Sequence, residues 1–141
     1  MTEENNQKEG KIFYPQRQLS RKTAEPILFL AEKMANADHD KVPRESRMID
    51  IIADAVGMAT FRHQPWFSEM TEDAAISRIT TEMAKKATLV VLSLVLKADS
   101  SRKPEEHDFF TWVRQQIGAD PITVPVALED HKKLALMYFL D

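Results

Sequence analysis

Two acidic residues of this chain, seven positions apart, recur later in the sequence at the same separation. Asp38 and Glu45 recur as Asp99 and Glu106, each pair 61 residues apart, as between positions 38 and 99. The flanking residues repeat at the same offset: Ala37 and Ala98, Pro43 and Pro104, Gly57 and Gly118. Calcium, magnesium and manganese favour several oxygen ligands, which carboxylates supply. If a two-fold axis relates the halves, four carboxylates meet at one candidate metal site.

The first copy is richer in acids than the second. Asp40 adds a third carboxylate to Asp38 and Glu45, whereas Ser101 stands at the matching position of the second copy. Glu105 is an additional acid in the second copy and a local candidate that the repeat does not support. The spacing does not fit the twelve-residue EF-hand loop, which needs acids at alternate positions and a central Gly. The predicted metal residues are therefore the four repeated acids and Asp40.

The repeated glutamates have a second interpretation, in which they stabilise helix ends without a metal. Each lies two residues after a Pro that suits the first position of a helix, where a negative charge stabilises by about 0.3–1 kcal/mol. Asp38 and Asp99 can cap loop amides. The residues before each Pro, Val42 and Lys103, lack the oxygen of a capping box, so the glutamates do not complete one. Both interpretations remain open from the residues alone.

Composition argues against several functional classes. The chain has 19 Lys plus Arg against 22 Asp plus Glu, a balance that disfavours a nucleic-acid binder. It contains no Cys, which excludes disulfides, thiolate metal sites and thiol nucleophiles. No Ser-His-Asp, HExxH or phosphate-loop signature occurs, so we expect no enzyme. A hydrolase with a metal-bound water between paired carboxylates is the enzyme class that the acids leave open.

Length and hydropathy predict one domain. The 141 residues suit a single core, with a flexible tail over 1–18 and a helical domain over 19–141. The first ten residues lack the apolar region of a secretory signal, so we expect a cytoplasmic location. The longest apolar run, 87–96, is about half of the roughly 20 residues that span a bilayer. No transmembrane segment is predicted.

Apolar residues at helical spacing predict an all-α bundle of about six helices with no strand. The first begins at Thr23, a candidate cap, and ends near Ala37. A helix that begins at Thr71 is expected to break near 84–86, or to continue as one bent helix. The other predicted helices are 43–56, 89–96, 104–117 and 126–140. Residues 58–70 are predicted to be a loop that packs Phe61, Trp66 and Phe67 onto the body.

The segment 89–96 is ambiguous by local propensity. Its β-branched and apolar residues fit a buried strand. The repeat favours a helix, because its counterpart 28–35 has a helical apolar stripe interrupted by Glu32 and Lys33. We therefore predict a helix at the centre of the bundle, with all faces covered.

These motifs resemble those of the tellurite-resistance TerB-like family. Its members are all-helical, are built from a duplicated helix pair and carry an Ala-Asp motif at a helix end, followed by a Glu in the next helix. The matching residues here are Ala37-Asp38 with Glu45 and Ala98-Asp99 with Glu106, and the resemblance covers about 23–120. The family usually has Gly after the motif Asp, where this chain has His39 and Ser100.

The resemblance implies a small, cytoplasmic, non-enzymatic protein of tellurite and chemical-stress resistance. It implies a divalent cation at Asp38, Glu45, Asp99 and Glu106, and protein partners at the inner face of the membrane. The alternative is a helical protein-interaction adaptor in which the repeated acids are structural and the groove or aromatic loop around Trp66 binds the partner. His39 and His107 are expected to be solvated rather than ligands.

Overall fold

The computed structural model describes residues 20–37, 43–98 and 104–119. Its elements are α1 (Arg21–Ala35), α2 (Pro43–Ala55), a short 3-10 helix (Phe61–His63), α3 (Pro65–Glu69), α4 (Glu72–Ser77), α5 (Glu82–Ala98) and α6 (Pro104–Ile117). These ranges contain no strand, which confirms the all-α class. They contain six α-helices, which agrees with the predicted number. The predicted tail 1–18 and the predicted helix 126–140 lie outside the described residues.

The core is built around α5, the most apolar helix. Every residue from Ala87 to Val95 is buried, because α1, α2 and α6 all contact this helix. Burial on all sides explains why the segment is helical despite its strand propensity, since tertiary packing overrides a weak local preference. The predicted central helix is confirmed. In the ranges that the structure describes, neither α5 nor any other helix is long and apolar enough to cross a membrane.

Helix boundaries differ from the predictions where side-chain caps decide them. The cap of α1 is Ser20, three residues before the expected Thr23, and its hydroxyl accepts from the Thr23 N–H at 3.2 Å. The break between α4 and α5 lies at 78–81, not at 84–86. Thr81 causes this shift, because its hydroxyl accepts from the Ala84 N–H at 3.1 Å and so starts α5 early.

The segment 58–70 is more ordered than the predicted loop, since it contains the 3-10 helix and α3. Pro65 begins α3, where a missing N–H costs nothing. The Phe67 ring packs edge-on against Phe29 at 5.6 Å and Phe61 at 5.4 Å between centroids. Trp66 in turn contacts Phe67 at 5.9 Å. The prediction that these rings pack onto the body is confirmed.

The two copies of the repeat have corresponding helices. Pro43 begins α2 and Pro104 begins α6, while Gly57 and Gly118 follow the two helices with φ of +75° and +70°. Contacts join α1 to α2 and α5 to α6 within the copies, and α1 to α6 and α2 to α5 between them. Each copy of the repeat therefore contains two helices in contact, and a duplicated pair with two-fold symmetry stays a prediction.

Substitution of either repeated glycine tests this correspondence. We expect Gly57→Ala and Gly118→Ala each to lower the free energy of unfolding by about 1 kcal/mol, because the left-handed conformation strains a residue with a Cβ. A Cβ at Gly57 meets only the end of the flexible Arg21 side chain, 2.8 Å from Nη2, and at Gly118 nothing within 4 Å. Urea denaturation measures both losses. A gain of stability at either position contradicts the left-handed conformation.

Candidate functional site

The structure describes two of the five predicted metal residues, and both are buried. Glu45 is the third residue of α2 and Glu106 the third residue of α6. Their exposed fractions are 0% and 2%. Asp38, Asp40 and Asp99 lie outside the described residues. The repeat thus places a carboxylate at the same depth and at the same helical position in each copy.

Other acids in first helical turns behave differently. Glu105, the neighbour of Glu106, is exposed, and so are Glu72 and Asp73 of α4 and Glu82 of α5. An acid gains from the positive end of a helix while it stays in water, so that interaction does not require burial. Burial of Glu45 and Glu106 is a separate property, which helix-end electrostatics alone leaves unexplained.

Burial of a carboxylate has a cost of several kcal/mol unless cations or hydrogen-bond donors compensate it. The first-turn N–H groups of a helix supply part of that compensation. A bound divalent cation is another source of compensation, and carboxylate oxygens are the ligands that hard cations prefer. The chemistry available to Glu45 and Glu106 is therefore cation binding or structural charge burial.

The described residues alone do not form a complete metal site. Within 20–37, 43–98 and 104–119, no group of three or more Asp, Glu or His side chains is placed to hold a metal ion. A site that uses Glu45 or Glu106 needs further ligands, for which Asp38, Asp40 and Asp99 remain the predicted residues. His107 is exposed on α6, with its ring 6.5 Å from that of Phe110.

A third buried carboxylate, Glu32 of α1, belongs to an ion-pair network centred on Arg62. The Arg62 Nε and Nη2 atoms lie 3.0 and 2.9 Å from Glu32 Oε1, and Nη1 donates to Asp50 Oδ1 of α2 at 2.6 Å. The Asn36 side chain donates to the Glu32 carbonyl at 2.9 Å. Arg62, which follows α2, thus joins the end of α1 to the middle of α2.

The surroundings of Arg62 stabilise its protonated form. Burial disfavours the guanidinium, but hydrogen bonds to Glu32 and Asp50 outweigh that effect, so the pKa of Arg62 is raised above its ordinary value. The guanidinium also lies 4.6 Å from the centroid of the Phe61 ring, within the range of a cation–π contact. Arg62 therefore stays a cation, as arginine does in proteins generally.

Sequence reasoning did not find this network, because its members come from three elements with no regular spacing. One signal was present. Glu32 follows Leu28 by four residues, so the two side chains share a face of α1, and a charge on an apolar face needs a partner. The sequence does not identify Arg62 as that partner.

An open groove lies where α1 meets the start of α4. Its volume is ≈ 390 Å³, and its lining includes Phe29, Lys33 and Met70, with the acids Glu72 and Asp73 at one side. Lys33 Nζ lies 5.3 Å from the centroid of the Phe29 ring. The lining of the groove combines apolar side chains with charges of both signs.

Comparisons with known proteins leave the assignment to the site itself. No protein-family model, curated protein or solved structure matches the chain. The resemblance to TerB-like proteins stays a prediction from the repeated motifs.

Removal of the buried glutamates tests their role in stability. We expect Glu45→Ala and Glu106→Ala each to lower the free energy of unfolding by about 1–3 kcal/mol, since each removes buried interactions of a charged group. The exposed neighbour provides a matched control: Glu105→Ala should change it by less than about 0.5 kcal/mol. Urea denaturation followed by circular dichroism measures all three. Equal effects at Glu105 and Glu106 would mean that burial adds nothing.

Arg62 and Asp50 form an unequal pair of test positions. We expect Arg62→Met to lower the free energy of unfolding by about 2 kcal/mol, because it removes the charged hydrogen bonds of the buried Glu32. Asp50→Asn should have an effect of about 0.5 kcal/mol, since the Asp50 side chain is 57% exposed and its ion pair is solvated. Thermal and urea denaturation give both values. An Asp50→Asn loss as large as that of Arg62→Met contradicts this ranking.

Proposed function

We propose that this chain is a non-enzymatic, TerB-like protein of tellurite and chemical-stress resistance that binds a divalent cation through its repeated acids. The observation that carries the proposal is the matched burial of Glu45 and Glu106, the third residues of α2 and α6. Acids that serve only a helix end are exposed elsewhere in the described helices, so burial in both copies favours an additional role.

Cation binding accounts for both the residue type and its depth. A carboxylate in a low-dielectric interior interacts strongly with a nearby cation. Calcium, magnesium and manganese are the candidates, since all take oxygen ligands. Asp38, Asp40 and Asp99 precede the two glutamates in the chain by a few residues and are the proposed remaining ligands.

The cellular setting of the proposal comes from the motif resemblance. The resemblance implies a cytoplasmic location and protein partners at the inner face of the membrane. The mildly acidic composition supports a partner other than nucleic acid.

The open groove supports a second candidate function, that of a helical adaptor. The groove is lined by the apolar residues Phe29 and Met70 and by charges at Lys33, Glu72 and Asp73. Such a lining suits a peptide that carries an apolar side chain between charged ones. In this function, Glu45 and Glu106 are structural. Substitution of these glutamates then changes stability and leaves ligand binding intact.

A cation titration tests the first function. We expect calorimetry of the full chain to show binding of calcium, magnesium or manganese, and the double substitution Glu45→Gln with Glu106→Gln to abolish it, because the amide keeps the shape but loses the charge. The double substitution Asp38→Ala with Asp99→Ala should weaken binding as well.

The controls are the exposed first-turn acids of the same chain. Glu72→Gln with Glu82→Gln removes the same number of charges and should leave the dissociation constant unchanged. Circular dichroism establishes that each variant is folded. Absence of binding at millimolar concentrations of all three metals, or binding that the Glu45 and Glu106 substitutions do not alter, contradicts the proposal.

A further inference from the structure

Ion pairs of Arg62 join the two helices of the first copy of the repeat. In the first copy, all three guanidinium nitrogens of Arg62 engage carboxylates: Nε and Nη2 contact Glu32 on α1, and Nη1 contacts Asp50 on α2. The planar fork of arginine suits two carboxylates at fixed directions, which a lysine ammonium cannot reproduce. This arrangement is called the Arg62 clamp below.

The second copy has residues of another type at the corresponding positions. At the offset of 61 residues, Ser93 stands for Glu32, Thr111 for Asp50 and Thr123 for Arg62. All three are uncharged hydroxyl side chains, so they cannot reproduce an ion pair between one guanidinium and two carboxylates. The duplication has therefore kept the buried Glu in both copies and the clamp residues in the first copy alone.

The clamp joins the last turn of α1 to α2, the helix that carries Glu45. Glu32 lies in the last turn of α1, where Asn36 caps the helix and donates to the Glu32 carbonyl at 2.9 Å. Asp50 lies five residues after Glu45 on α2, a distance of about 7.5 Å along a helix. A contact that holds Asp50 against the end of α1 thus restricts rotation and sliding of the helix that carries Glu45.

We propose that Arg62 is a positioning residue that locks α1 and α2 into a rigid pair, and that this makes Glu45, rather than Glu106, the pre-positioned carboxylate of the chain. The preference for Glu45 over Glu106 rests on the proposed cation binding. The lock between α1 and α2 does not. Pre-positioned ligands bind more tightly because less conformational freedom is lost on binding.

Hydrogen exchange of the full chain tests the lock without any metal. We expect Arg62→Met to raise amide exchange in the C-terminal half of α1 and in α2 by about tenfold, with a smaller rise in α5 and α6. The matched control is Arg78→Met, because Arg78 also joins two helices, through Glu25 Oε1 at 3.2 Å and the Lys22 carbonyl at 2.7 Å, at the opposite end of α1. That control should leave α2 unchanged.

Two results overturn the lock. One is an equal rise of exchange in all four long helices, which marks a general loss of stability. The other is an unchanged rate in α2. If Arg62→Met fails to fold, Asp50→Ala removes the α2 arm alone, because alanine has no acceptor for Nη1. It should raise exchange in α2 but not in α1, and no rise in α2 overturns the lock as well.

A manganese titration tests the consequence for binding. We expect Arg62→Met and Arg62→Lys each to raise the dissociation constant about tenfold, because neither side chain bridges the two carboxylates, and Arg78→Met to leave it unchanged. In the otherwise unaltered chain, Glu45→Gln should weaken binding more than Glu106→Gln. Retention of full affinity by Arg62→Lys would show that charge alone matters and overturns the positioning role.

The two proposals fail in different ways. If the unaltered chain binds no divalent cation, the proposed function fails together with the ranking of the two glutamates, and the exchange data alone decide the lock. If the chain binds a cation but Glu45→Gln and Glu106→Gln weaken it equally, the ranking is overturned and the proposed function stands.

Discussion

The apolar contact between α1 and α5 is the constraint on which the rest of this fold depends. These two helices supply most of the fully buried side chains, and each contacts at least three other helices. Because α5 is covered from Ala87 to Val95, the surrounding helices have one apolar surface on which to pack. The positions of α2 and α6, and hence of their first-turn glutamates, follow from this central pair.

Against that apolar interior, the part of the bundle that the structure describes buries three carboxylates in two different settings. Glu32 is 7% exposed and faces a guanidinium that also reaches Asp50 on the next helix. Glu45 and Glu106 instead sit in the first turns of their helices, where the helix end favours a negative charge. The first arrangement fixes two helices relative to each other, whereas the second places a buried carboxylate in the first turn of a helix, which is where we propose that a cation binds.

The repeat made the helical framework predictable, including α5, because the pattern of the 28–35 segment resolved the ambiguity of 89–96. It also located Glu45 and Glu106 in first turns, since each follows a Pro by two residues. Their depth was not predictable, because exposed Glu105 and buried Glu106 differ by one position on the same helix. The α4–α5 break was misplaced since its signal is the hydroxyl of Thr81 rather than a Gly or Pro. The Arg62 network was missed because tertiary packing, not spacing, brings its members together.

The central position of α5 has a consequence for how the chain is made. Leu28 and Leu89 are both buried in the core yet stand 61 residues apart in the sequence, so their helices meet only after a long loop closes. During synthesis, α1 is complete at Ala35 and its main partner at Ala98, an interval of roughly 3–13 seconds at 5–20 residues per second. Through that interval the apolar face of α1 has only α2 and the short helices to cover it. Aggregation of the nascent chain is therefore favoured in the interval between completion of α1 and completion of α5.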